Sequence, residues 1–171
     1  MNEKEKRKLL NRITNSSYVN LYFPNLDDGN AERARNTAED IIKERQKKDY
    51  YVNVDIKELP KSKSGAVNEF IRIVNNDLAK AQFEHWIHDA ISIDHVLKQV
   101  NDNLERRALI IFHYFENQDN EQEKGILRAI RKFIEMRDSK LLGILLISSN
   151  GIDQWDLSPF SNLDERYIEP L

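Results

Sequence analysis

The sequence predicts a three-layer α/β/α sandwich around a five-stranded, mainly parallel sheet. Three observations carry that expectation. Short runs of branched and aromatic residues alternate with longer stretches of helix formers, the order that builds βαβ units. Two of those runs, near Leu109 and Leu141, are apolar without a break, as strands covered on both faces require. The chain has 171 residues, enough for one domain with a full core.

Residues 1–17 read as a leading segment, with a charged helix over 2–14 that carries Leu9, Leu10 and Ile13 on one stripe. A single domain over 18–171 follows. "YVNLYF" (18–23) is aromatic and branched and stops at Pro24, so it reads as the first strand. "NAERARNTAEDIIKERQKK" holds strong helix formers and neither proline nor glycine, which predicts a helix. "YYVNVDI" (50–56) alternates as a second strand and leaves through the polar linker "KELPKSKSG". From Ala66 to about Asn101 the pattern is helical, read as two helices meeting near Ala81 or Ser92. "ALIIFHYF" (108–115) is the third strand. A helix from about Glu121 to Arg137 follows, with Ile126, Leu127, Ile130, Phe133 and Ile134 on its inner face. "KLLGILLISS" (140–149) is a fourth, buried strand, and a loop with Trp155 and Pro159 leads to a last one, "RYIEPL".

Composition narrows the function. Hydrophobic residues make up 40% and charged residues 32%, the profile of a folded globular chain. A net charge of −3 argues against general affinity for nucleic acid or anionic membrane, because no strong positive field gathers phosphates. Zero cysteines exclude disulfides and thiolate metal sites. "MNEKEKRKLL" lacks the apolar core of a signal peptide, and no apolar run is long enough for a bilayer. The expectation is a soluble, cytoplasmic protein.

The turn after the first strand is where a parallel α/β sheet cradles phosphate. Such a loop needs two glycines with four residues between them, then a lysine and a hydroxyl. Here the turn is "PNLDDGNA". Gly29 falls on the second glycine, Pro24 replaces the first, Asn30 stands at the lysine position and Ala31 at the hydroxyl. Asp27 and Asp28 add repulsion where phosphate needs attraction. The turn reads first as an Asp/Asn-rich cap of the next helix, with Asp28 or Asn30 as N-cap. A metal site on Asp27 and Asp28, and nucleotide held by backbone amides, are the alternatives.

On these residues the chain resembles the core of P-loop ATPases of the AAA-like and STAND kind. "YYVNVDIKEL" looks like their second strand, "ALIIFHYFEN" like their acidic third strand, and "LLGILLISSN" like the fourth. The resemblance covers 18–171 and implies the strand order 5-1-4-3-2. It implies a polar nucleotide-sensing residue at Ser149 or Asn150, with Arg166 either projecting toward the same edge or pairing with an acid to fix the last strand. The departures concern activity. His113 replaces the metal-holding aspartate, Tyr114 replaces the catalytic glutamate, and Glu116 is acidic but two residues late. With lysine, hydroxyl and both acids missing, four parts of phosphoryl transfer are absent together. The closest description is an inactive STAND-type domain without nucleotide, metal or other cofactor. It would act as a sensing or adaptor module on protein partners in signalling or defence, through groups exposed over the carboxyl ends of the strands: Asp27, Asp28, His113, Glu116 and Asn150.

Three other constellations compete with that expectation. Asp55-x-Lys57 echoes the acid-x-lysine element of metal nucleases, with Asp27 or Asp28 as the second acid; a divergent nucleotide hydrolase, and after it such a nuclease, are the alternatives to an inactive module. Its other reading is a strand exit with Lys57 in solvent. "FEHWIHDAISIDH" puts His85, His88 and Asp89 within one turn if helical, with His95 near that face, a spacing compatible with Zn²⁺ or with solvated histidines. Trp86, Ile87 and Ile91 read as core or interface anchors. Arg128, Arg131 and Lys132 read as the solvated outer face of their helix.

Overall fold

The computed structural model describes residues 2–4, 7–8, 11–12, 18–22, 30–45, 49–116, 119–139, 141–149 and 166–170. Five strands, β1 (Tyr18–Tyr22), β2 (Tyr50–Asp55), β3 (Ala108–Phe115), β4 (Leu142–Ser148) and β5 (Arg166–Pro170), form one sheet in which every paired strand is parallel. The spatial order is β2-β3-β4-β1-β5, or 5-1-4-3-2 from the other edge. Four helices connect them: α1 (Asn30–Arg45), α2 (Lys63–Lys80), α3 (Ile93–Asp102) and α4 (Glu121–Met136). Of the leading segment, residues 3–4, 7–8 and 11–12 are helical, and its apolar stripe lies outside the described residues. Among the described residues no helix is long and apolar enough to cross a membrane.

The two-residue period of the strands sorts the core into two clusters. Leu109 and Ile111 of β3 meet Ala34, Ala38 and Ile41 of α1, residues spaced to lie on one helical stripe. Ile110, Phe112 and Phe115 join the larger cluster under α2, α3 and α4. Strand β3 is buried along its whole length, which accounts for its unbroken apolar run. The five inner-face residues expected on the helix after it are all buried in α4. Phe70 of α2 and Phe112 pack with ring centroids 5.7 Å apart, and each fully buried ring of this kind contributes about 1.5–3 kcal/mol. Strand β2 lies at the sheet edge, where Asp77 of α2 accepts the Asn53 backbone N–H at 2.9 Å and so covers one exposed donor.

The helical reading of 66–101 requires correction. Ser62 caps α2 by accepting the Gly65 N–H at 3.2 Å, so the helix begins three residues before Ala66. It ends at Lys80 in a Schellman arrangement: Gln82 N–H donates to Ala79 C=O and Phe83 N–H to Leu78 C=O, both at 3.1 Å. Gln82 takes the left-handed position there, with φ 62°. Residues 83–90 are then neither helix nor strand. Asn75 of α2 holds this stretch from one side, donating to Ile87 C=O and accepting Ile87 N–H at 2.9 Å each. Gln99 of α3 holds it from the other, donating to His88 C=O at 2.8 Å and accepting His88 N–H at 3.4 Å. Two carboxamides thus bond consecutive residues as neighbouring strands would.

Candidate functional site

The carboxyl ends of β2, β3 and β4 bring together Asp55, Lys57, His113, Tyr114, Glu116 and Ser149. In register, His113 lies between Asp55 of β2 and Ile147 of β4, on the face covered by α1. The register against β4 then shifts between His113 and Phe115. That irregularity keeps Tyr114 in the α1 cluster while Phe115 enters the opposite one. His113 is therefore only 4% exposed, which corrects its expected position in solvent above the sheet. Burial holds its imidazole below the ordinary pKa, the Arg35 charge adds to that, and Asp55 and Glu39 oppose it.

Asp55 is committed locally. Its Oδ1 accepts the Lys57 N–H at 3.0 Å and caps the short 3₁₀ turn Ile56–Glu58, while Oδ2 lies 3.7 Å from the Arg35 guanidinium. Lys57 lies in solvent as the strand-exit reading expects, and its Nζ pairs with Glu116, a hydrogen bond that is the main reason its pKa is raised. The acid-x-lysine motif is thus a turn cap and an ion pair. Glu116 joins three strand exits. Its side chain holds Lys57 after β2, its N–H donates to Glu123 Oε1 of α4 at 2.7 Å, and its C=O accepts Ser149 Oγ at 2.9 Å. Ser149, expected as a sensing residue, is fully buried, and its N–H donates to Phe115 C=O at 2.9 Å.

Pro24, Asp27, Asp28, Gly29 and Asn150 lie outside the described residues, and Asn30 opens α1. Arg166 is corrected in position. It pairs in register with Tyr18, the first residue of β1, which places it at the amino ends of the strands, about 13 Å along the sheet from the carboxyl ends. The histidine constellation is also overturned as a helical face, because 83–90 is not helical. His85 packs against Phe83, and His88 pairs with Asp89 at 3.2 Å in solvent. Among the described residues no group of three or more histidines and acids is placed to hold a metal. One buried polar pair was missed by sequence reasoning: Asn20 of β1 donates to Ser148 Oγ of β4 at 2.9 Å, between inner strands near the same edge. An asparagine inside the apolar run "YVNLYF" was its signal.

No protein-family model matches the sequence, and no curated protein matches it. Solved structures do. A chain in the structure of Drosophila ORC bound to DNA is 11% identical over 98% of this chain and 29% of its own length, with TM-score 0.60. Chains in Drosophila ORC bound to poly(dA/dT) DNA and Cdc6, and to AT-rich DNA and Cdc6, are 10% and 9% identical with TM-score 0.59, each covered over 28% of its length. The chain thus spans under a third of these neighbours. At such identity the likeness shows the fold alone, a distant AAA+-like α/β fold of the P-loop ATPase kind.

Proposed function

We propose that this chain is a non-catalytic P-loop NTPase-like module of the STAND kind. It acts through protein contacts, in a sensing or adaptor role within a signalling or defence system. The observation that carries the reading is the network at the strand ends, in which Asp55, Lys57, Glu116 and Ser149 bond to one another and to α1 and α4. Sheet order and helices against both faces support a three-layer P-loop-like arrangement. The loss of the loop lysine, the hydroxyl and both acids from the sequence supports inactivity. The solved neighbours are complexes with DNA; for this chain the charge of −3 leads us to expect no nucleic acid.

Titration of the full chain with ATP, GTP and ADP, each with Mg²⁺, tests the reading by thermal shift. A ligand at a hundred times its Kd adds about 2.7 kcal/mol, a rise of roughly 5–10 °C for a chain this long. The expected rise is none. A clear rise would overturn the reading in favour of a divergent nucleotide hydrolase. Salt-dependent binding of short duplex DNA would overturn the expectation about nucleic acid.

A further inference from the structure

We propose that the cleft bounded by the amino-terminal ends of α2 and α3 and the outer face of α4 receives a short acidic and aliphatic segment of a partner protein. The cleft encloses about 760 Å³, within the range that holds ligands. Its floor is apolar, built from Ala66, Val67, Ile93, Ile126 and Ala129. Around it stand four cations, Lys61, Lys63, Arg128 and Lys132, against two acids, Asp94 and Glu121. That local excess of positive charge lies on a chain whose net charge is −3. Lys61, Lys63 and Arg128 have no ion-pair partner among the described residues.

Two polar groups in the wall point the same way. Asp94 is 4% exposed, and its Oδ2 accepts no hydrogen bond; Lys132 Nζ and His95 Nε2 stand 3.7 and 3.9 Å away. Ser92 occupies the N-cap of α3 without making a side-chain cap bond, and its buried Oγ has no partner. An extended peptide carries the missing donor and acceptor on its own backbone. The chain's most exposed large apolar side chains among the described residues, Ile91 at 82% and Trp86 at 68%, sit on the connection leading into α3, and Ile91 lines the cleft. An apolar floor with an exposed isoleucine at its mouth favours an aliphatic anchor over a bare phosphate. The surrounding cations and the two helix N-termini favour carboxylates beside that anchor.

The test is selection of a random-peptide phage library on the full chain, followed by fluorescence anisotropy with the most enriched sequence as a labelled synthetic peptide. Enriched peptides should combine Leu, Ile or Val with Asp or Glu. Gly125 lines the cleft, and a Cβ there meets no atom within 4 Å, so a side chain at this position starts into open space and Gly125→Leu should occupy part of the cleft. It should weaken the peptide about tenfold or more, as should Lys63→Glu with Arg128→Glu together. Should Gly125→Leu fail to fold, Ile91→Asp, at a solvent-exposed position, reads the same contact. Absence of enrichment, enrichment of basic peptides, or unchanged affinity in these variants overturns the proposal. Displacement of the peptide by pyrophosphate or duplex DNA, or a dimer in sedimentation that Gly125→Leu dissociates, assigns the cleft to another occupant and overturns it equally. The proposal rests on reading the chain as a protein-binding module, yet the two fail separately. Nucleotide stabilisation that leaves peptide affinity intact counts against that reading and not against the cleft.

Discussion

Replacing Asn75 by alanine removes both hydrogen bonds that fix the stretch between α2 and α3. Asn75 is 3% exposed and Ile87 is 1% exposed, so water does not take over the lost contacts at once. The substitution orphans the N–H and the C=O of Ile87, each of which had a partner at 2.9 Å. A buried backbone group left without a partner costs about 1–3 kcal/mol, and partial relaxation brings the expected total to about 2–4 kcal/mol. For a chain of 171 residues that lowers the thermal midpoint by roughly 5–15 °C. Circular dichroism during heating and urea denaturation measures the loss, and hydrogen exchange at Ile87 localises it. Gln99→Ala is the comparison. Its bonds to His88 lie at an exposed site where water substitutes, so the cost stays under about 1 kcal/mol. If Asn75→Ala costs less than about 0.5 kcal/mol, or Ile87 keeps its wild-type exchange rate, the bridge does not hold this segment and the reasoning fails.

Two glycine exchanges of opposite sense should both stabilise. Gly125 lies exposed inside α4 with open space where a Cβ would stand, so Gly125→Ala should raise stability by about 0.8–1 kcal/mol in urea unfolding. Gln82 sits at φ 62°, so Gln82→Gly should relieve roughly 1 kcal/mol of steric cost, and a lower urea midpoint in either variant contradicts the backbone assignment. His113 sets a pH dependence. Its folded-state pKa is lowered by burial, so the unfolded chain binds the proton more readily. The stability it contributes is present above the ordinary value of 6.5 and is lost as pH falls from there toward the folded-state pKa, by at most about 1.4 kcal/mol per pH unit. His113→Gln should flatten that limb in urea titrations across this range, and a slope unchanged from wild type would exclude His113 as its source.

The parts of the fold legible in the sequence are those where one local pattern determines the outcome. Strand β3 needed only its apolar run, β2 its alternation and α4 its stripe from Ile126 to Ile134. The break after Lys80 was not legible. Helix formers continue through it, and neither glycine nor proline marks positions 81–92. The helix stops because Gln82 accepts a left-handed conformation that glycine usually fills, and Asp89 does the same at φ 55°. The stretch between is held by Asn75 and Gln99, contacts between residues distant in sequence. The candidate site was legible as a location and misjudged in exposure. A strand-period count brings His113 to the sheet's end, whereas the register shift beyond it keeps the chain buried through Phe115. The cleft escaped notice because Lys61 and Lys63 meet Arg128 and Lys132 only through packing of α2 on its neighbours. Arg131 pairs with Glu135 at 3.1 Å on the same solvent-facing side of the helix.

The strand ends favour a partner other than phosphate through the sign of their charges more than through the strength of their bonds. An exposed ion pair such as Lys57 with Glu116 contributes about 0–1 kcal/mol, too little to close a site by itself. But Glu116 places its carboxylate on the one lysine that leaves β2 toward this edge, and Asp55 and Glu123 set two further acids within the same few residues of the strand exits. A phosphate approaching there meets a lysine already paired with Glu116 and two further acids, Asp55 and Glu123. Arg35 offsets Asp55 from the side of α1. Among the described residues, Lys61, Lys63 and Arg128 stand without an ion pair around the cleft of α2, α3 and α4. The electrostatics thus separate two regions of one fold, an acidic, self-bonded edge at the strand ends and a basic cleft against the helices. On this argument an anionic partner binds at the cleft.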